Sequence, residues 1–299
     1  MKLSILTATY NRAKYLTRLY QSIVNNKEKS NLEVEWILID DGSTDKTKQS
    51  IKKFNSEQKV NIKYIYQENS GKMSAINRGI NEVTGELIVD CDSDDFFSKN
   101  AFKIIEDNAI KLLNDKEIYA LCFLKQTEDG NISGNKFKQN YMKTTMFDLY
   151  FKDDIQGEKI LVFNSEIRKR YKHELEKNEK FITEARMYHK MDEKYKILCI
   201  NEVIEIGSYI QDGYTKNINK TFKESPNGYY MYFKEILQKD LKGVKLRKRI
   251  YIIKNLIVFR LKKWGHNLWP QVYAMILFYL FLQLFHLRNQ IFVSESLYF

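Results

Sequence analysis

The sequence predicts an α/β protein with a mixed, mostly parallel sheet that helices cover on both faces. In the first hundred residues, short apolar runs typical of buried strands alternate with amphipathic runs of helical period. Of the 299 residues, 43% are hydrophobic and 14% aromatic, which supplies a full core and excludes disorder as the main state. The three cysteines lie far apart in the sequence and the four histidines are scattered, which excludes a disulfide scaffold and a metal site built from cysteine or histidine.

Four strands and three helices are predicted before residue 90. The strands cover residues 3–9, 34–39, 62–66 and 86–89, and the helices cover residues 13–26, 44–54 and 72–83. Ser43 or Thr44 is the expected N-cap of the second helix, because a hydroxyl oxygen there can accept a hydrogen bond from the first turn. Ligands of parallel sheets bind beyond the carboxyl ends of the strands, so the polar motifs are expected at those ends.

A polar run follows each predicted strand, at residues 7–12, 40–45, 67–72 and 90–95. The last run holds four acids in six residues, and these repel one another unless a cation lies among them. A hard divalent cation, which binds carboxylate oxygens and bridges them to a diphosphate, is therefore expected. The alternative is an acidic turn that caps a helix beginning near Ser98, although capping needs a single acid.

The other strand-end residues each allow two interpretations. Asp40 can accept a hydrogen bond from a pyrimidine base or a ribose, or it can belong to an ordinary Asp-Gly turn. Tyr10 can stack on a base or pack against its loop, and Arg12 and Lys72 can neutralise phosphate or remain solvated. The chain contains neither GxGxxG nor GxxxxGK[ST], which excludes Rossmann dinucleotide and P-loop sites.

Four ordered runs together resemble a known family. They read LTATYNR at residues 6–12, IDDGSTD at 39–45, NSGKMSAINRG at 69–79 and VDCDSDD at 89–95. Residues 3–97 are similar to the N-terminal half of a family 2 glycosyltransferase with the Rossmann-like GT-A fold. The resemblance implies a nucleotide-diphosphate sugar donor, with UDP as the default nucleotide, and a Mn²⁺ or Mg²⁺ cofactor.

The resemblance also implies roles for individual residues of the N-terminal half. The nucleotide-sugar ligands would be Thr7, Tyr10, Arg12, Asp40, Lys72, Asp92 and Ser93. The DXD motif corresponds to Asp92-Ser93-Asp94, so Asp92 and Asp94 would hold the metal. Asp95 is a further catalytic candidate that can touch metal or sugar, and Asp41 is expected to support its loop.

Residues 157–163 and 181–184 resemble the acceptor-side segment of bacterial capsule-type members. Glu184 is the implied catalytic base, with Asp153, Asp154 and Glu158 as alternatives. Many members have Glu-Asp at this position, whereas this chain has Glu184-Ala185. The competing interpretation of Glu184 is a first-turn acid that interacts favourably with the helix dipole.

The implied reaction is one inverting sugar transfer to a saccharide hydroxyl in bacterial capsule, O-antigen or exopolysaccharide synthesis. The Gln-x-x-Arg-Trp motif of processive synthases is absent, which favours single addition over polymerisation. A competing hypothesis is a membrane-associated binding or scaffold protein on the same fold that has lost catalysis. A nucleotidyltransferase is less consistent with the chain, because no glycine-rich phosphate loop is present.

The last 56 residues carry a net +8 of the total charge of +11. Residues 244–263 form a basic amphipathic pattern, and residues 268–287 are mostly apolar with a continuous core of only 11 residues. A spanning helix needs about 20 apolar residues, so we expect an interfacial membrane anchor and a lipid-linked acceptor. The alternative is a pair of core helices or a homodimer contact. No nucleic-acid-binding motif accompanies the charge, which argues against a nucleic-acid partner.

The sequence further predicts the division of the chain and its compartment. We expect a nucleotide-sugar-binding half at residues 1–98, an acceptor-binding half at residues 99–215 and a helical C-terminal region at residues 216–299. The N-terminal apolar run is too short for a signal peptide. A cytoplasmic protein at the inner face of the cell membrane is therefore expected.

Overall fold

The computed structural model describes residues 1–207 and 218–263, and the chain divides into two compact units, Met1–Glu224 and Ser225–Phe299. The described strands are β1 (Lys2–Thr9), β2 (Glu33–Asp41), β3 (Asn61–Gln67), β4 (Leu87–Asp90), β5 (Phe96–Phe97), β6 (Ile118–Thr127), β7 (Met142–Thr144), β8 (Lys159–Asn164) and β9 (Lys196–Gly207). The described helices are α1 (Ala13–Lys27), α2 (Thr47–Ser56), α3 (Lys72–Gly79), α4 (Ala101–Leu113), α5 (Met146–Phe151), α6 (Ser165–Arg168), α7 (Glu184–Met191), α8 (Ile218–Glu224), α9 (Pro226–Leu237) and α10 (Leu246–Lys263).

The described strands form one sheet in the first unit, in the order β3-β2-β1-β4-β8-β6-β9-β5, with β7 paired to β9. Strands β1 to β4 run parallel, so their carboxyl ends and the four polar runs meet at one edge. The described sheet is mixed, as expected, and six of its nine strands run in one direction. Strand β8 runs antiparallel to both β4 and β6, and β5 and β7 pair antiparallel with β9, so parallel and antiparallel pairings are equally frequent.

The start of α2 differs from the prediction, because the polar loop before it has another task. Asp45 Oδ1 accepts hydrogen bonds from Thr47 N–H and Thr47 Oγ1, at 3.0 and 2.6 Å, and helix α2 begins there. Ser43 N–H instead donates to Asp40, and Thr44 N–H donates to Asn11. Neither hydroxyl residue caps the helix, so that expectation was wrong. The helix expected to begin near Ser98 likewise begins later, at Ala101.

Helices cover the sheet on both faces and enclose two apolar clusters. One cluster contains Leu16, Trp36 and Phe102 between the sheet and helices α1, α2 and α4. The other contains Ile37, Ile76 and Met187 beneath helices α3, α5 and α7. Trp36 and Ile37 are adjacent in β2 and lie in different clusters, as the alternation of side chains along a strand requires. The near-continuous apolar run of β2 is therefore explained by burial on both faces.

The described part of the second unit consists of α9 and α10. The ring of Phe259 stacks on Tyr229 and Phe233, with ring centroids 5.1 and 5.8 Å apart. Within the described residues, no helix is both long and apolar enough to cross a membrane. The apolar helix predicted at residues 268–287 lies outside the described residues. The predicted boundaries at residues 98 and 215 stay predictions.

Candidate active site

The loop after β1 is fastened to the loop after β2 by Asn11, whose φ is 52°. Asn11 N–H donates to Ser43 Oγ at 2.9 Å, and Asn11 Oδ1 accepts from Thr44 N–H at 2.8 Å. The chain neighbours of Asn11 are two predicted nucleotide ligands. Tyr10 is 48% exposed and Arg12 is half-buried. The loop therefore presents an aromatic face and a cation at the edge where the polar runs meet.

The two aspartates that end β2 are buried and organise their neighbours. Asp40 accepts hydrogen bonds from Ser43 N–H at 2.8 Å and Tyr64 Oη at 2.6 Å. Asp41 accepts three hydrogen bonds, donated by Gln67 Nε2 at the end of β3 and by Ser70 N–H and Gly71 N–H in the loop that follows. Asp41 therefore holds the loop after β3, and its support of its own loop stays a prediction. A nucleotide contact by Asp40 stays a prediction.

Two other predicted nucleotide-sugar ligands, Thr7 and Ser93, have little exposed surface. Thr7 is fully buried, and its Oγ1 accepts a hydrogen bond from Trp36 Nε1 at 3.0 Å. Ser93 is 6% exposed and lies between the two aspartates of the DXD motif. Thr7 lies near the carboxyl end of β1, and Ser93 lies in the loop that follows β4.

Basic side chains from three elements hold the loop of the DXD motif. The contacts are Lys72 Nζ to Asp92 Oδ1 at 2.7 Å, Lys125 Nζ to Asp95 Oδ2 at 2.6 Å, and Arg18 Nη2 to the Asp94 carbonyl oxygen at 3.0 Å. The mutual repulsion of these acids predicted a cation among them, and lysine side chains supply part of that positive charge. The sequence argument for a metal is weaker by that amount.

Asp94 differs from its two acidic neighbours in its electrostatic surroundings. Burial and the charges of Asp92 and Asp95 raise the pKa of Asp94 to about 6, and Arg12 counteracts this rise in part. In the described part of the chain, lysines contact the carboxylates of Asp92 and Asp95, and no lysine contacts that of Asp94. A divalent cation at this carboxylate would relieve the repulsion that raises its pKa.

The residues present fit a metal that is shared with a substrate. Among the described residues, no three His, Cys, Asp or Glu side chains converge so that they could hold a metal ion. Asp92 and Asp94 can supply one or two carboxylate ligands. A Mg²⁺ or Mn²⁺ ion held in this way takes its remaining ligands from water and from a diphosphate. The donor set therefore fits a cation that binds together with the donor.

Lys72 connects the DXD motif to the predicted catalytic base. Its Nζ lies 2.7 Å from Asp92 Oδ1 and 3.0 Å from Glu184 Oε1. Although burial alone lowers it, the charges of these two acids raise the pKa of Lys72 well above its ordinary value. The charge of Lys72 in turn lowers the pKa of Glu184, against the effect of burial. Glu184 is therefore ionised at neutral pH, as a general base must be.

Glu184 begins α7 and is held from its second oxygen by the same helix. Tyr188, one turn further along, donates from its hydroxyl to Glu184 Oε2 at 3.3 Å. The Glu184 side chain is 40% exposed, so a substrate hydroxyl can reach it. A first-turn acid is also favourable to the helix dipole. The two interpretations of Glu184 from sequence are thus compatible in one geometry.

Lys125 forms a second link between the DXD motif and the acceptor half. Its Nζ contacts Asp95, Glu158 and Glu205, at 2.6, 2.7 and 3.3 Å. Asp95 and Glu205 are almost completely buried, with side chains 6% and 2% exposed, whereas Glu158 is 44% exposed. Burial raises the pKa of Glu205 well above its ordinary value. Asp95 is directed towards this buried cluster, and its catalytic role stays a prediction.

A partly buried acid and a buried base form an ion pair at the end of β4. Asp90 Oδ2 lies 3.8 Å from Nη2 of Arg168, whose side chain is fully buried. Burial is the main reason why the pKa of Asp90 is raised to about 6, and Arg168 opposes the rise. Arg168 Nη1 donates to the Tyr171 carbonyl oxygen at 2.7 Å. This pair joins β4 to the segment that leads to α7.

The alternative bases are placed in two different surroundings. Glu158 belongs to the Lys125 cluster and is thereby connected to the DXD motif. Asp153 forms an ion pair with Lys138 at 2.5 Å, and the lysine is 60% exposed. Its neighbour Asp154 has a φ of 61° in the same loop. Basic residues thus tie both Glu184 and Glu158 to the motif.

Sequence reasoning missed three residues of this region. Lys125 ends the apolar run of β6, Glu205 lies near the end of β9, and Arg168 ends the short helix α6. A lone charge in an otherwise apolar strand is a usable signal, because burying a charge requires a partner. The signal does not reveal which partner, since β6 and β9 meet the DXD loop only through tertiary structure.

Sequence comparison matches residues 4–183 to the family described as glycosyl transferase family 2. The match covers more than half of the chain, and the chain belongs to this family. It is 38% identical over 143 residues to the minor teichoic acid biosynthesis protein GgaA of Bacillus subtilis, which is 46% of this chain and 31% of GgaA. The matched regions span less than half the length of the curated relatives.

Solved structures share the fold. The Staphylococcus aureus TarS 1–349 structure in complex with UDP-GlcNAc matches with a TM-score of 0.60 and 20% identity, covering 90% of this chain and 74% of that chain. The mannosyltransferase PcManGT from Pyrobaculum calidifontis, in complex with GDP-Man and Mn²⁺, matches with a TM-score of 0.56 and 15% identity, covering 95% and 80%. These likenesses confirm the predicted GT-A type of mixed α/β fold.

Proposed function

We propose that this chain is an inverting glycosyltransferase that moves one sugar from a nucleotide-diphosphate sugar to a hydroxyl of a saccharide. One observation carries the proposal: Lys72 brings Asp92 of the DXD motif and Glu184 to within 3.0 Å of one ammonium group. A donor-side acid and an acceptor-side base are thus neighbours at the edge where ligands of such sheets bind. UDP is the proposed nucleotide, since the TarS structure that shares the fold holds UDP-GlcNAc.

The proposed chemistry needs one proton acceptor and stabilisation of one leaving group. Glu184 takes the proton of the acceptor hydroxyl as its oxygen attacks C1 of the sugar, and the bond from C1 to the diphosphate breaks. General-base assistance of this kind contributes about 10²–10⁴-fold in rate. Arg12 and Lys72 are the cations proposed to stabilise the departing diphosphate. No covalent enzyme intermediate is required.

A divalent cation is proposed to bind with the donor, at Asp92 and Asp94. The raised pKa of Asp94 and the acidic motif support it, and the PcManGT structure of the same fold holds Mn²⁺. When bound, such an ion neutralises charge that grows on the diphosphate. The protein's own part is to position the loop that carries the two carboxylates, through Arg18 on the Asp94 carbonyl oxygen.

The proposed acceptor is a hydroxyl of a bacterial cell-surface polymer carried on a lipid. The relative GgaA is named for minor teichoic acid biosynthesis, which supports a surface polymer. Helix α10 supports a place at the membrane, because it contains seven basic residues and no acid. Its apolar residues Leu246 and Tyr251 are 48% and 51% exposed. A basic helix with exposed apolar side chains fits an anionic lipid surface. A homodimer through these helices stays a prediction.

Donor turnover in an Asp94→Ala variant tests this proposal. Release of nucleoside diphosphate from UDP-sugars is measured with Mn²⁺, beside the control Asp107→Ala on the exposed face of α4. We expect turnover to fall at least about 100-fold in Asp94→Ala, as for loss of a group that stabilises the transition state. Circular dichroism checks that both variants are folded. Undiminished turnover in Asp94→Ala, or in wild type with a chelator, would contradict the metal role.

A further inference from the structure

Lys72 occupies two groups that the proposed reaction must use separately. Its ammonium contacts Asp92, on the donor side, and Glu184, on the acceptor side. We propose that Lys72 is an exchangeable counter-ion that withholds both acids in the donor-free protein and releases them when the metal-bearing donor binds. In this proposal, donor binding precedes activation of the acceptor. The inference rests on the proposed function and adds an order of events to it.

The first argument is electrostatic. An ammonium 2.7 Å from Asp92 Oδ1 opposes a divalent cation on the same carboxylate, because the two positive charges repel each other at close range. Asp92 therefore binds a cation more strongly once Lys72 has moved away. The diphosphate of the donor offers the ammonium a new partner of higher negative charge, and lysine binds phosphate as a flexible point charge.

The second argument is that the side chain can move while its backbone stays in place. Gly71, the preceding residue, donates its N–H to Asp41 Oδ2 at 2.8 Å. A Cβ atom at Gly71 would lie 2.1 Å from the Lys180 carbonyl oxygen, so this turn is tightly packed. The Lys72 side chain itself is 21% exposed, so part of it faces solvent. The exchange is thus a rotation of a long side chain on a fixed turn.

The third argument concerns the oxygen atoms of Glu184. Lys72 holds Oε1 at 3.0 Å, while Tyr188 donates to Oε2 at 3.3 Å. When Lys72 leaves, Tyr188 still fixes the orientation of the carboxylate, and Oε1 becomes available to an acceptor hydroxyl. The geometry therefore assigns the proton-accepting role to Oε1 and an orienting role to Tyr188.

The test is Mn²⁺ binding to the protein without nucleotide, measured by electron paramagnetic resonance or calorimetry. Wild type is compared with Lys72→Met and with the control Lys63→Met, which removes the exposed ion pair to Glu82. We expect Lys72→Met to bind Mn²⁺ about tenfold more tightly than wild type, in the range usual for coupled sites. Lys72→Arg keeps the charge and should bind Mn²⁺ as weakly as wild type, as should the control.

A second titration measures how much UDP strengthens Mn²⁺ binding. We expect this strengthening to be smaller in Lys72→Met, since UDP no longer has a lysine to draw away from Asp92. Unchanged or weaker Mn²⁺ binding by folded Lys72→Met and by a second neutral variant, Lys72→Gln, overturns the inference. If wild type binds Mn²⁺ with UDP in that case, the proposed function survives; if it binds none even with UDP, the proposed metal role fails as well.

Discussion

At the residue scale, two lysines connect the donor and acceptor halves of the site. Lys72 joins Asp92 to Glu184, and Lys125 joins Asp95 to Glu158 and Glu205. Lys72 belongs to one of the four sequence motifs, whereas Lys125 belongs to none of them. Its importance comes from burial, since a 10% exposed ammonium among carboxylates is costly to remove.

Removing Lys125 is expected to destabilise the fold more than removing an exposed lysine does. Lys125→Met leaves Asp95 and Glu205 buried without their cation, which typically costs about 3–5 kcal/mol. Lys63→Met breaks an exposed pair with Glu82 and should cost at most about 1 kcal/mol. Urea unfolding of both variants measures the difference. Equal losses in the two variants would show that the Lys125 cluster contributes no more than a surface pair.

Glu35 is expected to make stability depend on pH. Hydrogen bonds from Ser4, Thr84 and Lys2 outweigh burial and lower the pKa of Glu35 to about 2. A carboxylate with a lowered pKa stabilises the fold above its unfolded value of 4.5, and this contribution is lost as pH falls towards 2. Glu35→Gln should therefore cost about 3 kcal/mol at pH 7 and progressively less below pH about 5.

Urea unfolding at several pH values measures that dependence. Glu33→Gln is the matched control, because Glu33 lies on the same strand and contacts Lys2 with a side chain that is 71% exposed. The prediction fails if the difference between wild type and Glu35→Gln is the same at pH 3 and pH 7.

At the element scale, the sequence predicted the first four strands and the starts of α1 and α3 well, and the start of α2 less well. Strands β1, β2 and β4 are buried along most of their length, so burial defines them, whereas β3 is only partly buried. The start of α2 depends on which acid accepts the first hydrogen bond of the helix. Ser43 N–H and Thr44 N–H are not available for this purpose, because they donate to Asp40 and Asn11 in the loops of the site. Short-range rules cannot foresee such long-range competition.

The pairing of the second half could not be read from the sequence for a similar reason. Strand β8 lies antiparallel between β4 and β6, a position set by tertiary packing and not by its own pattern. Glu205 and Lys125 meet because β6 and β9 are neighbours in the sheet, although 80 residues separate them in the chain. The motif residues of the candidate site could thus be predicted from the sequence, whereas their partners Lys125 and Glu205 could not.

The turn before α3 offers a prediction at this scale. Gly71 and Gly130 have φ values of 95° and 89°, so a residue with a side chain would have a strained backbone at either position. A Cβ at Gly71 would lie 2.1 Å from a carbonyl oxygen, whereas one at Gly130 would meet its nearest atom at 3.6 Å. We expect Gly71→Ala to lower stability by at least about 2 kcal/mol more than Gly130→Ala, as measured by urea unfolding. Equal effects would contradict the packing at Gly71.

At the scale of the whole molecule, charge and chemistry are separated along the chain. Most of the net charge of +11 lies in the last 56 residues, whereas the site is built from acids and their lysine partners. This separation favours a basic surface that serves localisation, and it says little about the transfer reaction.

Replacing Arg247, Lys254 and Arg260 of α10 by glutamate is expected to abolish sedimentation with vesicles of anionic lipid. All three side chains are exposed, and each basic residue near an anionic surface contributes about 1 kcal/mol. Replacement of Lys48, Lys52 and Lys53 on α2, which are also exposed, is the matched control. Unchanged sedimentation of the α10 variant would contradict the proposed membrane surface.

The most direct test of the central claim is single-turnover transfer by a Glu184→Gln variant, with UDP-sugar, Mn²⁺ and a saccharide acceptor. Glu166→Gln is the control, because Glu166 is an exposed acid in the first turn of α6. We predict that Glu184→Gln binds UDP-sugar but transfers sugar about 10²–10⁴-fold more slowly than wild type, while the control transfers normally. Near-normal transfer by Glu184→Gln would show that the base lies elsewhere and would contradict the proposed role of Glu184.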